Sequence, residues 1–238
     1  MRLDKECLKR GLLDSRNKVQ EAILKGFIFV NGVVCYKNSL EVKEQDNIEL
    51  KAQKIFVSRA GEKLYHFLQD KQECIELKGK KALDVGSSTG GFTQVLLEFG
   101  VEKVVCVDVG QNQLDKSLKE DSRIELYEKT DIRDFKYNEG FFIVVCDVSF
   151  ISLEQILTSL QSFANFWLIL LFKPQFEVGK EAKRNKRGVV QEEQKIQEKL
   201  EQILKQLEQI CFKIQFVEKS KIKGKEGNEE FFIAAKRL

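Results

Sequence analysis

Apolar residues recur at two different periods along this chain, and the change of period divides it. Leu3, Leu8, Leu12, Val19, Ala22 and Ile23 fall at helical spacing in two short segments, punctuated by Gly11 and by Asp14-Ser15. GFIFVNGVV follows as a strand–turn–strand in which Asn31-Gly32 is a strong hairpin signal, and NIEL reads as a third short strand. Two helices and a hairpin hold few core residues, so the unit reads as an appendage to something larger. Residues 51–57, KAQKIFV, lack the Gly, Ser and Pro of a loose tether and read as a semi-rigid hinge.

From about residue 80 strands and helices alternate. KKALDVG, KVVCVDV, RIELYE, FFIVVCDVSF and FWLILLFK read as strands. GGFTQVLLEFG, NQLDKSLK and ISLEQILTSLQSF read as helices, and a long charged helix is expected at about 190–210. Two terminal strands, CFKIQFVEKS and EEFFIAAKR, are joined by the short basic segment KIKGKEGN, so one of them is expected to be antiparallel. The pattern predicts an α/β fold, with helices on both faces of an open, mostly parallel sheet. There is no internal repeat.

Composition removes several classes. The longest apolar run, around 166–172, is far short of a membrane span, and the N-terminus lacks the apolar core of a secretory signal. Six cysteines form no CxxC pair, which fits a reduced, cytoplasmic protein. Cys106 and Cys146 lie in apolar strands and read as core. The one histidine, His66, argues against a zinc site and, without a GxSxG elbow, against a Ser-His-Asp hydrolase. Net charge is +3, but residues 1–60 carry 12 Lys or Arg against 8 Asp or Glu. That surplus is either a solvated helix face or a module that meets phosphates.

LDVGSSTGGFT joins the first strand of the large sheet to its first helix. Gly86, Gly90 and Gly91 permit a sharp turn and close backbone approach, and Ser87, Ser88 and Thr89 supply polar groups. The spacing G-x-x-x-G-G is not the dinucleotide fingerprint. Asp84 precedes the loop, Phe92 follows it, Asp108 ends the second strand where a ribose would sit, and Asp131 follows the third. A nucleoside cofactor fits, NAD among the candidates. Farther on, Asp147 and Lys173 each end a strand of the parallel sheet and so point at the ligand crevice. Pro174 fixes a turn directly after Lys173. The run GKEAKRNKRG at 179–188 holds five cations and one acid.

Several of these stretches resemble known families. RLDKECLKRGLLDSRNKVQEAILKGFIFVNGVV resembles the RNA-binding domain named after ribosomal protein S-four, through Arg2, Leu3, Asp4, Arg16, Gly26, Val30, Asn31 and Gly32. That resemblance implies an α+β RNA-binding module with Arg2, Arg10, Arg16, Lys18 and Lys25 near phosphates. Asp84, Gly86, Gly90, Gly91 and Asp108 resemble the cofactor site of class I S-adenosylmethionine-dependent methyltransferases, whose Rossmann-like sheet has seven mostly parallel strands. Lys63 in SRAGEKL, Asp147, Lys173 and Glu230 match the Lys-Asp-Lys-Glu tetrad of FtsJ/RrmJ-type ribose 2′-O-methyltransferases. The whole chain closely resembles the TlyA family.

The resemblance implies residues 1–52 as an S-four-like domain, 53–58 as a linker and 59–238 as a methyltransferase domain. It implies 2′-O-methylation of cytidine in ribosomal RNA at the subunit interface, with 23S alone as the expected target and 16S in addition as the alternative. The cofactor would be S-adenosylmethionine, the partner a ribosomal subunit, with no metal and a monomeric chain. Lys173 is expected to be the base, made able to take a ribose proton by burial and a second cation, an effect that can move a lysine by about 3–5 units. Lys63 would neighbour it, Asp147 would orient the amine and the cofactor, and Glu230, chosen over Glu229 because it precedes Phe-Phe, would hold Lys63 or the ribose. Arg59, Lys183, Arg184 and Arg187 are further RNA contacts. An RNA-binding assembly factor with a vestigial cofactor fold, an NAD oxidoreductase and a haemolysin are the rival readings.

Overall fold

A computed structural model describes residues 1–51 and 54–238, in two compact units, Met1–Ile55 and Phe56–Leu238. The expected linker at 53–58 begins on a residue outside the described set.

In the first unit, helices α1 (Leu3–Lys9) and α2 (Arg16–Leu24) pack on a small antiparallel sheet of order β2-β1-β3, made of β1 (Ile28–Val30), β2 (Val33–Val34) and β3 (Ile48–Leu50). Leu3, Cys7, Val19, Ala22, Ile23, Ile28, Val42 and Ile48 form its core. Asn31 and Gly32 both have positive φ, as a tight hairpin turn with matching twist requires. Ser15 caps α2 by accepting from the Lys18 amide. Asp4 is fully buried and holds Arg2 at 3.0 Å and Arg16 at 3.4 Å. The Arg2 bond above all lowers its carboxyl from 3.8 to about 2.

The second unit contains α3 (Arg59–Gln69), β4 (Lys81–Val85), α4 (Gly91–Glu98), β5 (Lys103–Val107), β6 (Ile124–Tyr127), β7 (Phe141–Cys146), α5 (Leu157–Phe163), β8 (Ala164–Phe172), α6 (Pro174–Glu177), α7 (Glu193–Gln209), β9 (Phe212–Lys219) and β10 (Phe231–Arg237). The strands form one seven-stranded sheet in the order β6-β5-β4-β7-β8-β10-β9. The first five are parallel, and β10 is antiparallel to both β8 and β9. Alternate residues divide the core. Leu83, Val144 and Leu168 face α5 and α7, while Ala82, Ile143 and Ile169 face α3 and α4.

Two expectations are corrected. NQLDKSLK is not a helix but a series of turns. Asn112 has a left-handed φ of 57°, and the Ser117 amide and hydroxyl both donate to Asp115, which offers the backbone an alternative to helical bonding. Leu114 and Leu118 are buried against Gly90 instead. Glu229 and Glu230 do not lie inside the last strand but immediately before it.

Candidate active site

The site lies at the carboxyl ends of β4 and β7, adjacent and parallel, where the order in which successive strands are added reverses, the position at which open α/β sheets hold ligands. Gly86 follows β4 with φ 79°, and a Cβ there would lie 2.9 Å from the Asp147 carbonyl oxygen. No other residue lets the two strand ends approach so closely.

Two cavities open at this point. The larger, of about 460 Å³, is bounded by Gly86, Asp108, Asp131, Asp147 and Phe150 among others. The smaller, of about 170 Å³, is bounded by Ser58, Ser87, Thr89, Gly91, Phe92 and Lys173. Gly86, Ser88, Asp147 and Ser149 belong to both walls. The Asp108 carboxylate braces the loop, accepting from the Ser88 amide at 2.8 Å and the Gly110 amide at 2.6 Å. Asp131 faces the larger cavity while bound to Arg133, whose bond holds its carboxyl below the usual range. Asp84 is wholly buried behind the loop and accepts from Thr93 at 2.6 Å.

The polar atoms fit a nucleoside cofactor. Ser58 Oγ, Ser87 Oγ and Asp84 Oδ1 are buried with no partner among the described residues. Buried groups of this kind are unusual without a ligand or water to satisfy them. Glycine backbone, unused hydroxyls and an acid at the end of the second strand suit an amino-acid-bearing nucleoside, with Asp108 and Asp131 on the larger cavity and Ser58 and Ser87 on the smaller.

The four tetrad residues form two ion pairs. Lys173 Nζ lies 2.6 Å from Asp147 Oδ1 and donates to Ser149 Oγ at 3.0 Å. Lys63 Nζ lies 2.6 Å from Glu230 Oε2. Burial pushes the Asp147 carboxyl up, and Lys173 and then Lys63 oppose it, so both cations act on one acid. The pairs sit differently. Lys173 and Asp147 line the smaller cavity, whereas Lys63 and Glu230 lie buried beside it.

Local folding explains each position. Leu168 to Phe172 are each 1% exposed or less, an apolar strand buried on both faces. Pro174 cannot donate to a ladder, so pairing stops there and Lys173 emerges in extended backbone just before α6. Because β10 is antiparallel to β8, its start abuts the end of β8: Phe231 pairs Phe172, which brings Glu230 beside Lys173. Glu229 faces outward to Lys219 and Lys223. Lys63 is carried by α3, which packs on α4. Ser58 occupies the N-cap position of α3, yet its hydroxyl makes no cap bond.

The expected RNA contacts divide. Arg10 is fully engaged, by Glu6 and the carbonyls of Asp46, Lys43 and Glu44. Arg184 donates to the carbonyls of Lys180, Ala182, Gln175 and Gly179, which makes it the pin of its own loop. Arg2 and Arg16 share Asp4, Lys18 meets Asp14, Lys25 meets Glu21, and Arg59 donates to the Lys223 carbonyl. The Lys183 and Arg187 side chains carry no ion pair among the described residues.

Sequence reasoning missed four residues. Ser149 binds Lys173. Glu177, buried, accepts from Ser152 at 2.6 Å and from the Leu153 amide at 2.9 Å, which ties α6 to the segment after β7. Asn228 receives the Val190 amide at 3.0 Å, so it joins the two basic loops. Phe150 is 91% exposed, has φ 66° and rests 5.0 Å from the Phe176 ring. Of these, only Glu177, an acid between the apolar Phe176 and Val178, carried a signal in the sequence.

Comparison with known proteins agrees with this geometry. A family model for FtsJ-like methyltransferases matches residues 56–237, and one for the S4 domain matches residues 1–48. A Campylobacter jejuni protein named 23S rRNA (cytidine-2′-O)-methyltransferase TlyA is 42% identical over 98% of both chains. A Mycobacterium tuberculosis protein named 16S/23S rRNA (cytidine-2′-O)-methyltransferase TlyA is 34% identical over 98% of this chain and 88% of its own. A solved structure from Streptococcus thermophilus, named as a hemolysin, is 32% identical with a TM-score of 0.74 and covers 100% of this chain and 88% of that one. Among the described residues no helix is long and apolar enough to cross a membrane.

Proposed function

We propose, for a chain that belongs to the FtsJ-like methyltransferase family and within it to the TlyA proteins, 2′-O-methylation of cytidine in ribosomal RNA with S-adenosylmethionine as donor. The observation that carries this reading is the placement of Lys173: its amine stands in the wall of the smaller cavity, paired with Asp147, where a ribose hydroxyl would meet the donor.

A ribose hydroxyl attacks only as it loses its proton. Lys173, paired with Asp147 and donating to Ser149, would take that proton as the neutral amine, through its lone pair. Asp147 orients that amine. Lys63 and Glu230 supply a second, nearly neutral pair whose cation also acts on Asp147. The cofactor, when bound, supplies an electrophilic methyl group on a sulfonium. The chain's own work is to hold the hydroxyl in line and keep water out, and orientation of that kind supplies much of a rate enhancement.

The 23S site is the preferred target, because a relative that matches end to end at 42% identity bears that name. The target is proposed to lie on the face where subunits join, so separated subunits are the expected substrate. The S4 domain and the loop at 179–188 would supply phosphate contacts, which give affinity and register more than sequence choice.

The test is transfer of labelled methyl groups to unmodified large and small subunits, separated and assembled, followed by mapping of the modified ribose. Label on a cytidine 2′-oxygen of the separated large subunit is expected. Label on a base, or none on either subunit, would refute the reading.

A further inference from the structure

The one-turn helix α6 has a side chain that no part of the proposed chemistry uses. Gln175 Nε2 donates to Glu230 Oε1 at 3.0 Å, while the other oxygen of Glu230 is bound by Lys63. Its position is fixed from both sides. It lies two residues after Lys173, and its carbonyl oxygen receives Arg184. Glu177, on the same turn, is fastened to Ser152 and Leu153.

The amide orientation follows from its neighbour. A carboxylate only accepts, so the Gln175 nitrogen must face Glu230. Its Oε1 is then left buried with no partner among the described residues. A fold that leaves such an acceptor unsatisfied keeps the amide there for the bond on its other side, a pattern found where geometry serves a site.

The consequence is a link between the two ion pairs. Lys63 and Glu230 come from α3 and from the start of β10; Lys173 and Asp147 come from the ends of β8 and β7. Gln175 is the side chain that bonds the first pair to the turn carrying Lys173. We infer that Gln175 is a positioning residue that fixes Glu230, and through it Lys63, relative to Lys173. This rests on the proposed role of the tetrad.

The experiment is a double-substitution cycle on the full chain, with labelled cofactor and unmodified large subunits. Gln175→Met keeps the volume and removes the bond, and Glu230→Gln removes the charge. Gln175→Met is expected to lower kcat by roughly 10–100-fold, the range of a hydrogen bond to a charged group, with KM for RNA within about twofold. In the Glu230→Gln protein the same change should cost less than about twofold, because the carboxylate that Gln175 holds against Lys63 is already lost. Cofactor affinity by calorimetry should be unchanged by Gln175→Met, while the thermal midpoint falls by the few degrees that one buried hydrogen bond carries. Losses that multiply would overturn this inference alone, as would a Gln175→Met protein that loses cofactor binding and stability in step. A Glu230→Gln protein with full activity would overturn the tetrad reading, and this link with it.

Discussion

Gly61 and Gly91 pack backbone to backbone: a Cβ on Gly61 would lie 2.8 Å from the Gly91 carbonyl oxygen, and one on Gly91 would lie 2.8 Å from the Gly61 amide nitrogen. This contact seats α3, which carries Lys63, on α4, which begins at the glycine turn after β4. Both obstacles are backbone and cannot step aside. Gly61→Ala is therefore expected to destabilise the protein by about 1–3 kcal/mol, as overpacking does, and to lower methyl transfer by displacing Lys63. Denaturant unfolding and transfer assays on one preparation check both.

Removing Lys173 separates chemistry from stability. Lys173→Met should lower transfer by roughly 10²–10⁴-fold with RNA affinity retained. It also leaves Asp147 buried without its cation, which is strongly destabilising. Adding Asp147→Asn should restore the thermal midpoint and leave transfer absent. If the double variant recovered activity, the amine would not be the base.

Phe150 sets stability against function. A left-handed φ costs a side-chain-bearing residue about 1–2 kcal/mol, and this ring gains little burial in return. Phe150→Gly should leave the fold as stable or up to about 1 kcal/mol more stable. If the ring stacks on a base of the substrate, RNA affinity should fall by roughly 5–100-fold, the range for one base–aromatic stack. An unchanged affinity would remove Phe150 from the RNA surface.

The Asp84 carboxyl makes stability depend on pH. Burial, opposed by the Thr93 bond, raises it from 3.8 to about 7. An acid with a raised folded pKa costs nothing while both states are protonated, below about 3.8. The cost grows as pH rises through the window and is complete above about 7. Asp84→Asn, always neutral, should be more stable than the parent at alkaline pH, by on the order of 2–4 kcal/mol. The advantage should shrink on acidification. Unfolding curves across that range decide it, and a gain that did not vary with pH would show Asp84 ionises as in the unfolded chain.

The basic loop should show two kinds of cation. Lys183→Ala and Arg187→Ala should weaken RNA binding evenly and reduce the salt slope by about one contact each. Arg184→Ala should loosen the loop itself, because four carbonyls lose their donor. Proteolysis within 179–188, rising only for Arg184→Ala, distinguishes them.

Much of this was legible in one dimension. The change from helical to strand–helix periodicity located both units, because burial imposes those periods locally. Asn31-Gly32 and Pro174 marked their turns through φ preferences that belong to the residues themselves. The NQLDKSLK segment misled because its helical spacing was real but Asp115 and Ser117 offered the backbone other bonds, and no pattern of apolar residues records that competition.

The chain alone determined which groups exist: two lysines, two acids and a glycine turn, each at a strand end or helix start that its neighbours in sequence enforce. Tertiary structure decided how they pair. Glu230 meets Lys63, 167 residues away, because β10 runs antiparallel to β8 and so begins where β8 ends. The short connection before β10 announced an antiparallel strand, but which strand it would lie beside depends on hydrogen bonds and packing between distant segments, and local sequence does not contain that.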